Sequence, residues 1–205
     1  MFKFSKKHKS KLRLFIKGSA GFAIVELVVA VAIIVVFFVI VISNFPQIRL
    51  QFSLSRVSYK FAQDVRRAQD MALSSVEHKD SNGNVQSVDG YGVYIDLRNF
   101  IGSLGNKKYI IYADASPGNQ QYDTLTDYIA ETIDFSATEP EIIIKKLNNV
   151  LRNKVSINFN SSNITTSITT LGRNQSSVGV IFSFESDVTK IKTVSINTSG
   201  LVEVK

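Results

Sequence analysis

The chain reads as an α+β protein in which one long N-terminal helix, part membrane span and part spine, packs on a β-rich head. Three observations carry this. Residues 22–42, FAIVELVVAVAIIVVFFVIVI, form an apolar run in which Glu26 is the sole charge. Beyond it, Leu50, Leu54, Val57, Phe61, Val65, Ala68 and Ala72 recur at three- and four-residue spacing, which is one stripe of a helix. After residue 75 that period gives way to short alternating segments between turn signals.

The first segment is 1–21, MFKFSKKHKSKLRLFIKGSAG. It holds Lys3, Lys6, Lys7, Lys9, Lys11, Arg13 and Lys17, and no acid. The 205-residue chain carries 24 basic and 17 acidic residues; without this leader the balance is 17 against 17. The sequence pI of about 9.5 therefore belongs to the leader and is no sign of a nucleic-acid-binding head. A basic flank before an apolar run follows the positive-inside rule, so the leader is expected in the cytoplasm and the C-terminal part across the membrane. There is no cysteine, which excludes disulfides and thiolate metal sites and leaves stability to core packing.

The apolar run comes next. A helix over 22–42 spans about 31 Å at ~1.5 Å per residue, close to the hydrocarbon thickness of a bilayer. A carboxylate in such a segment costs roughly 2.5–3.5 kcal/mol at the membrane centre and less near an interface. Three readings compete. A secretory signal peptide has a shorter apolar core and a small-residue cleavage site after it, whereas SNFPQ follows here. A plain signal anchor explains the length and the basic flank, but not Gly21, Phe22 and Glu26. A prepilin-type signal explains all of them: cleavage falls before the run, which stays on the mature protein.

Ser43–Asn44–Phe45–Pro46 is a local breaker, and Pro46 predicts a kink or local melting. Helical periodicity then resumes to about Ser75. Arg49, Arg56, Lys60, Asp64, Arg66, Arg67 and Asp70 are expected on the solvent faces. Residues 78–90 read as a loop or hairpin. Strands are expected at Tyr91–Leu97, Lys108–Ala113, Tyr128–Phe135, Glu141–Leu147, Val155–Asn160, Val178–Glu185, Ile191–Asn197 and Leu201–Lys205, with Thr198–Ser199–Gly200 turning the last pair. Ser161–Ser177, rich in Ser, Thr and Asn, reads as an exposed loop.

The segment GFAIVEL resembles the G-F-x-x-x-E motif of bacterial type IV pilins and type II secretion pseudopilins. Arg66–Ala72 (RRAQDMA), Gly90–Asp96 (GYGVYID) and the final TVSINTSGLVEVK are similar to segments of the H-type minor pseudopilins (the GspH/FimT group). The resemblance implies a pilin-like fold, cleavage by prepilin peptidase between Gly21 and Phe22, N-methylation of Phe22, and Glu26 as the acid needed for subunit assembly. It also implies other pilin or pseudopilin subunits and an inner-membrane platform with a secretion ATPase as partners. Some members of that group bind DNA through basic residues in the final hairpin. Leu201–Lys205 has one acid and one base here, so DNA is not an expected partner.

Other chemistry is sparse. His8 lies in the leader and His78 is the one histidine beyond it, which argues against a Ser-His-Asp relay or a multi-histidine zinc site. Asp80–Asn84 superficially suggests a calcium loop, but Tyr91 stands where the bidentate Glu belongs, so a hairpin turn is expected. Asp114, Asp123 and Asp127 are expected to be solvated loop residues. No cofactor and no catalytic constellation are expected.

The sequence therefore predicts a non-enzymatic assembly subunit of the bacterial inner membrane. It has a cleaved leader at 1–21, a membrane and assembly helix at 22–47, and a spine plus an extracytoplasmic head at 48–205. Membrane lipid holds it before assembly. A DNA-uptake minor pilin and a single-pass anchored binding or sensor module remain as alternatives.

Overall fold

A computed structural model describes residues 20–80, 82–98 and 102–205. The leader's basic residues and His8 lie outside the described residues, as does Ser81. The chain divides into two compact units, Met1–Pro46 and Gln47–Lys205. A single helix, α1 (Ala20–Leu73), enters both.

In the first unit, α1 is exposed at every described position over 24–42. Among the described residues it is the one helix long and apolar enough to cross a membrane. The apolar window has no buried residue, so it is not a core helix of the head. Pro46 lies inside the helix, so of the expected kink or local melting the melting does not occur. Proline removes a single N–H donor, and the hydrogen bonds of the turns on either side carry the helix past it.

In the second unit, α1 supplies the spine. Leu54, Val57, Phe61, Val65, Ala68 and Ala72 are all buried, and Leu50 packs at the edge of the same core. The predicted stripe is thus the buried face. Asp64 corrects the expectation of a solvent position: it is 2 % exposed. It sits one turn from Phe61 at the margin of the stripe, where Tyr109 Oη donates to it at 2.7 Å and Lys60 Nζ at 2.7 Å.

A small hairpin, β1 (His78–Lys79) and β2 (Val85–Gln86), follows the helix. The main strands are β3 (Val88–Asp96), β4 (Lys108–Ala115), β5 (Tyr128–Asp134), β6 (Ile142–Asn148), β7 (Lys154–Asn160), β8 (Thr166–Thr170), β9 (Arg173–Gln175), β10 (Ser177–Phe184), β11 (Ile191–Asn197) and β12 (Val202–Val204). Every expected strand is present within a few residues, and β11 has the predicted bounds. Two antiparallel sheets result, one in the order β5-β4-β3-β7-β8-β9 and the other β12-β11-β10-β6. Phe61 lies between them, its ring 5.0 Å from Tyr109 of the larger sheet and 5.5 Å from Phe182 of the smaller.

The expected loop at 161–177 instead contains β8 and β9. Thr166–Thr169 pairs with β7, and Ile168, Thr169 and Thr170 are buried. Threonine is β-branched and suits a strand, so a Ser/Thr-rich segment can join a sheet edge without an apolar signature.

Candidate functional site

The residues singled out by the sequence lie at the start of α1. Gly21 and Phe22 fall in its first turn. Glu26 is exposed among Ile24, Val25, Leu27 and Val28, which are themselves 61–65 % exposed. Its carboxylate therefore sits on a wholly apolar helix surface with little local polar company. Water satisfies it outside a membrane; inside one it needs an interface or a cation.

A second concentration of polar groups was not anticipated. It lies on the face of the larger sheet turned away from α1. Strand alternation places Tyr94 and Asp96 of β3, Tyr112 and Asp114 of β4, and Ser156 and Asn158 of β7 on this face. The loop after β4 folds over it. Its Tyr122 ring packs 4.6 Å from Tyr94 and 5.2 Å from Tyr112. Gly92 leaves room for Tyr112: a Cβ there would fall 2.6 Å from the phenol ring.

Three carboxylates pin that loop. Asp114 accepts N–H bonds from Gln120 at 2.9 Å and Asn119 at 3.3 Å, and a side-chain bond from Asn158 at 3.1 Å. Asp127 accepts from the backbone of Asp123 at 2.7 Å and Ala115 at 3.1 Å. Asp89 accepts from Gly118 at 2.6 Å. The expectation that Asp114, Asp123 and Asp127 are solvated is thus corrected. Asp114 is 1 % exposed, and Asp123 and Asp127 are half-buried. Burial, reinforced by the charges of Asp127 and Asp89, pushes Asp114 up to about 6. Burial raises Asp127 as well. Asp96 behaves differently. Burial is the largest single influence and opposes its ionisation, but the Arg98 guanidinium at 2.6 and 2.8 Å, the Arg98 backbone N–H at 3.1 Å and the Tyr94 hydroxyl at 3.0 Å together outweigh it and hold Asp96 below the usual carboxylate range.

These acids are loop fasteners. Their oxygens are occupied by N–H donors, and among the described residues no group of three or more His, Asp or Glu is placed to hold a metal. The signal for the cluster was present in the alternation of GYGVYID and KYIIYADA. What the sequence hid was that both faces of β3 and β4 are buried.

One consequence concerns pH. A carboxyl raised on folding binds protons more readily in the native state, so its stabilising contribution is complete below about pH 3.8 and declines as pH rises towards 6. Asp114→Asn is expected to remove that decline. Denaturant midpoints of parent and variant measured from pH 3.5 to 7.5 should converge at the acid end and separate in the variant's favour above pH 6. A pH-independent difference would rule out the buried titration.

Elsewhere, Asp80 accepts N–H bonds from Asn82 at 2.8 Å and Asn84 at 2.9 Å, forming the expected hairpin turn. His78 stacks on Tyr128 with ring centroids 5.0 Å apart. In the final hairpin, Lys205 pairs with Glu203 at 2.9 Å. Comparison with protein-family models, curated proteins and solved structures finds no match.

Proposed function

We propose that the chain is a structural subunit of a pilin-like filament, a minor pseudopilin of a type II secretion or type IV pilus-like system. The observation that carries this is the placement of Gly21–Phe22 and Glu26 at the head of a helix that is apolar and exposed over 24–42 and forms the spine of a β-rich unit over 54–72. A span built this way holds the subunit in the membrane before assembly. In a filament the same apolar surface is buried against neighbouring copies.

In this reading prepilin peptidase removes residues 1–21 and the amine of Phe22 is methylated. Glu26 lies about 6 Å along the helix from Phe22 at ~1.5 Å per residue. The Phe22 amine of an adjacent subunit is then the counter-charge for Glu26 and sets the axial register. Extraction from the membrane needs external work, which assigns the motor to an inner-membrane platform with a secretion ATPase.

Processing is the decisive test. Gly21 presents no side chain to the cut, so Gly21→Val is expected to abolish maturation while membrane insertion persists. Gel mobility and N-terminal sequencing read this directly. A functional, assembled protein that retains Met1 and its leader would overturn the assignment.

A further inference from the structure

We propose that the cleft between the free edges of the two sheets, at β6 and β9, binds an extended acidic segment of a partner protein as an added strand. The cleft has a volume of about 800 Å³ and is lined by Lys146–Leu151 on one side and Arg173, Gln175 and Ser176 on the other.

One wall is the end of β6 and the loop that follows it, and the other is β9 with Ser176 after it. Among the described residues β6 pairs only with β10, and β9 only with β8. The outer side of β6 is partly used, since the Ile144 N–H donates to the Asn106 carbonyl at 2.7 Å. That bond shows which residues of β6 point their main chain away from β10. The register then shifts by a bulge between Ile181 and Phe182, after which Leu147 stands opposite Val180. Alternation across the bulge aims the Leu147 N–H and C=O outward. Its side chain is buried in the core at 2 % exposure, so its main chain is what it offers the cleft. Unpaired main chain at a sheet margin is a template for another strand.

The charge of the cleft selects the occupant. Lys146 and Arg173 are both exposed and are the charged residues among its described lining, and among the described ion pairs neither has an acidic partner. The remaining polar lining, Asn148, Asn149, Gln175 and Ser176, is neutral. A neutral or basic segment would leave two like charges uncompensated. An extended segment with alternating acids satisfies the main-chain edge and both cations. This inference does not depend on the filament reading, because it concerns the second unit alone.

The test is fluorescence anisotropy with the full chain in detergent and a labelled peptide alternating threonine and glutamate. Saturable binding is expected. It should weaken about tenfold or more in Lys146→Glu/Arg173→Glu, as loss and reversal of two ion pairs implies. It should weaken comparably when alternate amides of the peptide are N-methylated, which removes strand pairing and leaves the charge intact. Equal binding of the matching threonine–lysine peptide, or insensitivity to N-methylation, would overturn the proposal. So would displacement of the peptide by duplex DNA with a steep salt dependence, which would assign the cleft to phosphates instead.

Discussion

Phe61→Ala is expected to destabilise the second unit by about 3–5 kcal/mol, the range for a fully buried aromatic truncated to a methyl. Phe61 is 0 % exposed and touches both sheets, edge-on to Tyr109 and tilted against Phe182. Removing it opens a void where helix, larger sheet and smaller sheet meet. Collapse is hindered, because closing the void requires two hydrogen-bonded sheets to move together. Natural domains are stable by roughly 5–15 kcal/mol, so the variant should be near its folding limit. Phe61→Leu restores most of the volume and is expected to lose about half as much. Urea unfolding of the full chain in detergent, followed by tyrosine near-ultraviolet circular dichroism, measures both. The chain has no tryptophan, so the tyrosine signal is not obscured. A loss below about 1 kcal/mol for Phe61→Ala would mean that the helix does not template the sheets.

That junction also explains what the sequence made legible. A stripe at three- and four-residue spacing faces one direction on a helix, and the buried set on α1 follows it closely. Alternation did the same for the strands that have one apolar face. The failures share a physical cause. Asp64 was assigned to solvent by residue type, yet its position at the stripe's margin and the phenol of Tyr109 make burial affordable. Burial in turn keeps the Tyr109 phenol protonated, its ionisation pushed well above the ordinary range. Thr170 reads as loop, but its hydroxyl proton is shared between the carbonyls of Lys154 at 2.8 Å and Leu151 at 3.0 Å while its oxygen accepts the Leu151 N–H at 3.1 Å, and this ties a polar strand into the sheet. Asp114 looked solvated until a loop closed over it. Asp64 and Thr170 find partners far along the chain, and Asp114 is covered by the loop that follows its strand and by Asn158 of β7; apolar periodicity carries no record of either arrangement. The start of α1 is the reverse: the motif there is plain in the sequence, while the role proposed for it rests on neighbours that would belong to other molecules.

Glu26→Leu separates those roles. The substitution removes the one charge from the apolar run and makes the span more apolar. Membrane insertion is expected to persist or improve, since a cost of roughly 2.5–3.5 kcal/mol or less is relieved. Assembly is expected to fail or slow. Packed in a filament, the Phe22 amine of the adjacent subunit would lose its counter-charge, and an uncompensated buried charge costs about 3–5 kcal/mol. The two effects have opposite sign, so a general folding defect cannot mimic the pair. Membrane fractionation reports the first. Cross-linking between cysteines introduced on the exposed face of the spine, for instance at Gln63 and Asp70, reports the second, and the absence of native cysteine keeps that signal clean. Glu26→Asp keeps the charge on a shorter stem and should recover assembly in part. If Glu26→Leu cross-linked as efficiently as the parent, the carboxylate would be reaching the nearby interface rather than a neighbour's amine, and the filament reading would lose its main support.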